Sequence, residues 1–282
     1  MSVAEMQAYL ARLYTSDPFR KLFELDPDAT LADYTLDDGE INALKQIDKK
    51  MLNMFAHGLK AKRKRKALGA YPLLTKLAGV DIDKYYSRYY NLYPAKPHDA
   101  PLVQIKTFGE FMEKSLATDE NVPPYSSDLV RYERLYAMTA YSPTPQDSFA
   151  LINQTSDQQS RPIGPESVLR VRENVHASTF RFNIVKIAVE IQQEQEVTHL
   201  QEGTYCFIFQ QRAKSVVPHI FAISPATRDL LSLCDGSRKV AEIVHEMEKR
   251  MGREQLGEQI SQMFRHLLEI QVIGVENHAN NF

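Results

Sequence analysis

The stretch Leu230-Leu231-Ser232-Leu233-Cys234-Asp235-Gly236-Ser237-Arg238-Lys239-Val240-Ala241-Glu242-Ile243-Val244 carries the most specific fold signal in the chain. An apolar helical run ends at Asp235-Gly236, where glycine suits the left-handed position that closes a helix. A polar pair follows, and Val240-Ala241-Glu242-Ile243 opens a second apolar run. Working outward, Ser224-Pro225 starts the first helix, with proline at a position that needs no N–H. The second helix is expected over about residues 239–251 and the third over about residues 253–271, with Leu256 to Leu268 as its main part. Ile273-Gly274-Val275 reads as a closing apolar strand. Upstream, Thr204–Gln211 and Val216–Ile223 are rich in β-branched and aromatic residues and read as two more strands.

This order of elements resembles the PqqD-like peptide-binding domain, the RiPP recognition element, over about the last 80 residues. That family has three strands before its helices. Two are plain here, and the first is expected within residues 168–182. The resemblance implies a winged-helix-like domain that captures a leader peptide. The peptide would add as a strand beside Val216–Ile223 and lie against the third helix, so that backbone bonds hold it and side-chain pockets select it. The implied peptide-binding residues are Val217, His219, Ile220, Phe221 and Ala222 on the strand, with Ile260, Met263, Phe264 and Leu267 on the helix. Pro218 has no N–H and fits an edge strand better than a central one.

The first hundred residues read as helices. Met6, Tyr9, Leu10 and Leu13 share one face of a segment from Val3 to Leu13. Asp17 followed by Pro18 is expected to cap a short helix carrying Phe19, Leu22 and Phe23. Residues 35–40 introduce a longer helix whose apolar positions run from Ile41 to Phe55, and Gly58 and Gly69 interrupt the stretch after it. Pro94 to Pro101 reads as a linker. Helical segments come next, from Leu102 to Leu116 and after Pro123-Pro124, and residues 142–167 read as loop. Val168–Val175 and Ser178–Phe182 are strand-like, and Asn183 suits the cap of a helix over 184–193. The expected organisation is a helical domain over 1–98, a helical and strand domain over 99–200, and the peptide-binding domain over 201–276. The fold class is α+β, mainly helical.

Composition narrows the function. The net charge of -2 excludes a polycation built to coat nucleic acid. No apolar run approaches the roughly 20 residues that span a bilayer, and the first residues lack the pattern of a signal peptide. Cys206 and Cys234 lie among apolar residues and read as buried thiols of a cytoplasmic protein. The eight histidines form no ligand-spaced pattern, and no nucleophile or phosphate-loop motif occurs. The basic run Lys60-Ala61-Lys62-Arg63-Lys64-Arg65-Lys66 reads either as a phosphate contact or as a solvated helix face or acidic-partner contact. Tyr86, Tyr89, Tyr90 and Tyr93 share a helix face, with Tyr85 beside them. They form either a partner interface or local helix packing, because tyrosine joins apolar area to a polar tip.

Two further stretches, Pro123-Pro124-Tyr125-Ser126-Ser127-Asp128-Leu129-Val130-Arg131-Tyr132-Glu133 and Val168-Leu169-Arg170-Val171-Arg172-Glu173-Asn174-Val175, look like accessory subunits of two-subunit peptide-modifying enzymes. In those, a TIM-barrel partner holds two or three irons and oxidises a cysteine of a ribosomal peptide, as in methanobactin and 3-thiaglutamate biosynthesis. Length and the N-terminal helical module are closer to the 3-thiaglutamate system, whose complex excises the β-carbon of a C-terminal cysteine of the carrier peptide. The resemblance implies a heterodimer with the iron enzyme and a bound precursor peptide. It implies no catalytic or metal-ligating residue and no cofactor in this chain, with iron in the partner. Nucleic acid and membrane are not expected partners. The alternative is a winged-helix DNA-binding regulator. Against it, the third helix sets Arg253 and Arg265 beside Glu254, Glu258 and Glu269, whereas a recognition helix should be basic.

Overall fold

Side-chain caps set the helix boundaries in the first half of the chain. The computed structural model describes residues 3–93, 100–141, 163–212 and 217–276. It is mainly helical with a smaller share of strand, and it divides into two compact units, Met1–Arg134 and Leu135–Phe282.

The first unit contains α1 (Val3–Thr15), α2 (Asp17–Leu25), α3 (Pro27–Leu31), α4 (Asp38–Lys45) and α5 (Lys49–Leu68). A 3-10 turn at Leu74–Lys76, α6 (Ile82–Leu92) and α7 (Pro101–Leu116) come after these, and α8 (Ser126–Tyr141) starts there and crosses the boundary between the units. Three expectations are corrected. Ser16, not Asp17, caps α2: its hydroxyl accepts from the Phe19 N–H at 3.3 Å. The long helix expected through Phe55 is two helices, because the Asp48 carboxylate accepts the free N–H groups of Lys50 and Met51 and starts α5 afresh. Gly58 does not interrupt α5, which runs through it to Leu68; one helical glycine costs only about 1 kcal/mol. The capping box at the start of α4 is complete, with Asp37 and Glu40 each accepting the other's backbone N–H.

Freed from capping, Asp17 forms with Arg20 a network that joins α1, α2 and α5. It accepts from Arg20 and from Lys60 Nζ at 2.7 Å, while buried Arg20 also donates to Asn53 and to the Leu13 carbonyl. Burial works against its charge, but the hydrogen bonds from Lys60 and Arg20 outweigh it and hold the carboxyl below the usual range. Beside this network Tyr9, Leu13, Phe19, Phe23, Leu31, Leu44 and Leu52 form one apolar core.

The second unit contains β1 (Val168–Val171), β2 (Val175–Phe180), α9 (Ile184–Gln192), β3 (Tyr205–Gln210) and β4 (His219–Ile223). Then come α10 (Pro225–Leu233), β5 (Asp235–Lys239), α11 (Val240–Met251), α12 (Gly257–Glu269) and β6 (Ile273–Glu276). Asn183 caps α9 and Ser224 caps α10, each accepting the N–H three residues on. Two antiparallel three-stranded sheets form, in the orders β5-β1-β6 and β2-β3-β4. The expected boundary at 200/201 therefore falls inside both sheets. β2 pairs with β3, and β1 lies between β5 and β6.

β5 is a strand that the sequence did not announce. Gly236 within it has φ +83°, and a Cβ there would stand 3.0 Å from the Glu276 carboxylate on β6. The left-handed glycine thus falls where it was expected, but it opens a strand. Leu230, Leu231, Leu233, Ile243, Met247, Ile260, Phe264, Leu267, Val272 and Ile273 close one core with Leu169, Val175 and Ile208 from the sheets.

Candidate peptide-binding site

β4 is the outermost strand of its sheet. Its register against β3 runs from Cys206 opposite Ile223 to Gln210 opposite His219. Among the described residues no backbone hydrogen bond reaches β4 from any strand but β3. An edge of this kind presents unpaired N–H and C=O groups on alternate residues, a template for another extended chain. Pro218 stands immediately before the strand, as an edge position allows.

Alternation sorts the side chains of β4. His219, Phe221 and Ile223 point to one face, Ile220 and Ala222 to the other. Phe221 and Ile223 pack, half-buried, against the same core as Met263 of α12. Two residues that the sequence did not single out complete this border. The Arg212 guanidinium lies 5.1 Å from the centre of the Phe221 ring, and the Thr227 hydroxyl donates to Met263 Sδ at 3.5 Å. Neither has a spacing signal, because each meets its partner across different elements.

The expected peptide-binding residues separate into two groups. Val217, His219 and Ala222 are exposed, and Ile220, Phe221 and Met263 are half-buried, so these six are accessible to some degree. Ile260, Phe264 and Leu267 are buried and are corrected to core residues. The cause is the direction of α12, whose 260-264-267 stripe turns inward onto Leu230, Ile243 and Ile273. Gln210 fixes that direction at one end: its buried amide donates to the carbonyls of Ile270 and Gln271 at 2.9 and 3.1 Å.

The tyrosine face is corrected in the same way. Tyr86, Tyr89 and Tyr90 are buried within the first unit against Phe108 and one another, with Tyr85 also buried, and Tyr93 alone of the expected interface residues is exposed. The Tyr89 hydroxyl meets Thr107 at 2.9 Å, and that of Tyr90 donates to the Tyr14 carbonyl at 3.2 Å. Burial pushes the Tyr86 and Tyr90 hydroxyls above the ordinary phenol value.

Cys206 and Cys234 are both buried and free. Burial raises the Cys234 thiol to about 12, so it stays protonated at neutral pH. Among the described residues no group of three His, Cys, Asp or Glu side chains is placed to hold a metal ion, and no helix is long and apolar enough to cross a membrane. Compared with protein-family models the sequence matches none. A search of curated proteins gives no significant match.

Proposed function

We propose that this chain is a non-catalytic accessory subunit that holds the leader of a ribosomal precursor peptide on the edge of β4 and presents it to a TIM-barrel iron enzyme. The observation that supports this is the β4 edge, which no other strand pairs among the described residues, with half-buried Phe221 on it and half-buried Met263 packed against the same core. The order α10-β5-α11-α12-β6 is compatible with a winged-helix-like peptide-binding module. A leader added antiparallel to β4 gains backbone bonds along the strand, with Ile220, Phe221 and Met263 as the surfaces that select its side chains. Tethering the leader raises the effective concentration of the reacting cysteine at the partner's irons. The reaction of the complex is oxidative modification of that cysteine, with excision of its β-carbon as in 3-thiaglutamate biosynthesis.

The test is titration of a labelled precursor peptide into the full chain. One-to-one binding is expected, weakened by Ile220→Asp and by Met263→Asp while circular dichroism stays unchanged. Peptide binding indifferent to both substitutions, or salt-dependent binding of duplex DNA in its place, overturns the proposal. The isolated chain should purify with little iron, and co-expression with the enzyme should give a heterodimer that carries it.

A further inference from the structure

Helix α5 has a face on which large apolar side chains stand about half exposed, with the Phe55 ring meeting that of Tyr14 at 6.5 Å along one border. Leu52, Ala56, Arg63 and Ala67 form its buried side. Met51, Met54, Phe55 and Leu59 are 44, 57, 56 and 46% exposed. Their spacing of three and four residues sets them on one side of the helix, with Gly58 among them; a side chain there would meet open space. The same side continues toward the C-terminus as Lys62, Arg65 and Lys66, all exposed.

The basic run of α5 thus sorts by direction. Lys60 pairs with Asp17, Lys64 pairs with Asp83, and Arg63 is buried beside Tyr89 and Tyr90, its Nη2 donating to the Tyr93 carbonyl at 2.7 Å. These three hold the unit together. Lys62, Arg65 and Lys66 have no ion-pair partner among the described residues.

We infer that this face of α5 docks a partner protein whose contact segment carries apolar side chains followed by carboxylates. The inference rests on the chain being an accessory subunit, and the partner is then the iron enzyme. Four large apolar side chains exposed side by side mark an interaction surface, and methionine adapts to a partner's shape. Three free cations at one end of the patch call for carboxylates and fix the direction in which the segment lies.

A second copy of the chain fits poorly. Antiparallel pairing of two α5 helices would offer Lys62, Arg65 and Lys66 only Asp48 at the far end of the other copy's face, a carboxylate already accepting the Lys50 and Met51 N–H groups. Parallel pairing would set the cations against themselves. A lipid surface also fits poorly. A membrane-surface helix sorts apolar and basic residues around its circumference, so that the apolar face sinks while the cations stay level with the headgroups. On α5 the two groups share one face and separate along the axis.

The test uses the full chain co-expressed with the iron enzyme. Affinity is measured for the native chain, for Phe55→Glu, for the triple reversal Lys62→Glu, Arg65→Glu, Lys66→Glu, and for Lys114→Glu on α7 as a control. Both α5 variants should weaken the complex by about tenfold or more, with unchanged melting and unchanged precursor-peptide binding, and the triple reversal should flatten its salt dependence. Lys114→Glu should change nothing. A native complex retained by both α5 variants overturns the inference and leaves the accessory role standing. Absence of a native complex overturns both. Binding to phosphatidylglycerol vesicles that the triple reversal abolishes, with the enzyme complex intact, assigns the face to lipid and overturns the inference.

Discussion

The two units bury different chemistry. In the first, aromatic rings carry much of the interior; the hydroxyls of Tyr9, Tyr71, Tyr89 and Tyr90 are tied, while that of Tyr86 is buried with no hydrogen-bond partner among the described residues. The Tyr9 hydroxyl meets Thr30 at 2.8 Å, and that of Tyr71 donates to the Ile105 carbonyl at 2.6 Å. Buried Glu133 accepts the N–H groups of Leu73 and Leu74 at 2.6 and 2.9 Å. In the second, leucine, isoleucine, valine and phenylalanine close the core around α12, and the cysteine among them is an inert thiol. A hydrogen-bonded interior fixes a shape through direction, because each buried polar tip requires its partner. An aliphatic interior fixes one through volume. The first unit should therefore respond to pH and to steric crowding, and the second to lost volume.

The largest effect should come from the aliphatic side. Phe264→Ala should lower stability by about 3–5 kcal/mol, read by urea unfolding. Met263→Ala, one position away on α12, should cost far less and act mainly on precursor-peptide affinity. Equal losses of stability at the two positions would erase the division of α12 into core and edge. Next is Gly109→Ala on α7. A Cβ there would stand 2.1 Å from the Tyr71 hydroxyl, so the variant should lose about 1–3 kcal/mol in thermal unfolding. A neutral result would mean that the tyrosine tip is not fixed.

Glu133 tests the pH contrast. Burial is the largest influence on its carboxyl, and the two backbone N–H bonds offset it only in part, leaving it at about 8 against an ordinary 4.5. Folding then takes up a proton between those values. The stability from this group is complete below about pH 4.5 and is lost as pH rises through about 8. The melting temperature should fall from about pH 5.5 to about pH 8.5, and Glu133→Gln should flatten that fall. Smallest is Ser224→Ala at the α10 cap, which should cost about 1 kcal/mol. A larger loss of peptide binding than of stability there would show that the cap also sets the end of β4.

Local chemistry was legible in the sequence. The caps at Asn183 and Ser224, the left-handed Gly236 and the strands β3 and β4 stand where side-chain type alone puts them. The illegible part depended on distant partners. Asp235-Gly236-Ser237-Arg238-Lys239 has no strand propensity and becomes β5 because β1 lies alongside it. The 260-264-267 stripe of α12 has the same apolar pattern whether it faces a core or a peptide. The choice was made by neighbours far away in sequence, as it was for the tyrosines of α6 against Phe108. The site was accordingly half legible: its edge strand was readable, its helix wall was not.

The place of β1 between β5 and β6 also bears on the order in which the chain takes shape during synthesis. The first unit ends at Arg134, so all of its residues have emerged before β1 is made and it can assemble while the ribosome is still at work, as domains formed early generally do. β1 must wait. Its partners Asp235–Lys239 and Ile273–Glu276 are translated long after Val168–Val171, and closing so long a loop is slow. Until residue 276 has emerged, Leu169 and Val171 lack the strand that covers them. The nascent second unit is then a client for chaperones, and a stall late in translation would yield a folded first unit carrying an unfinished second one.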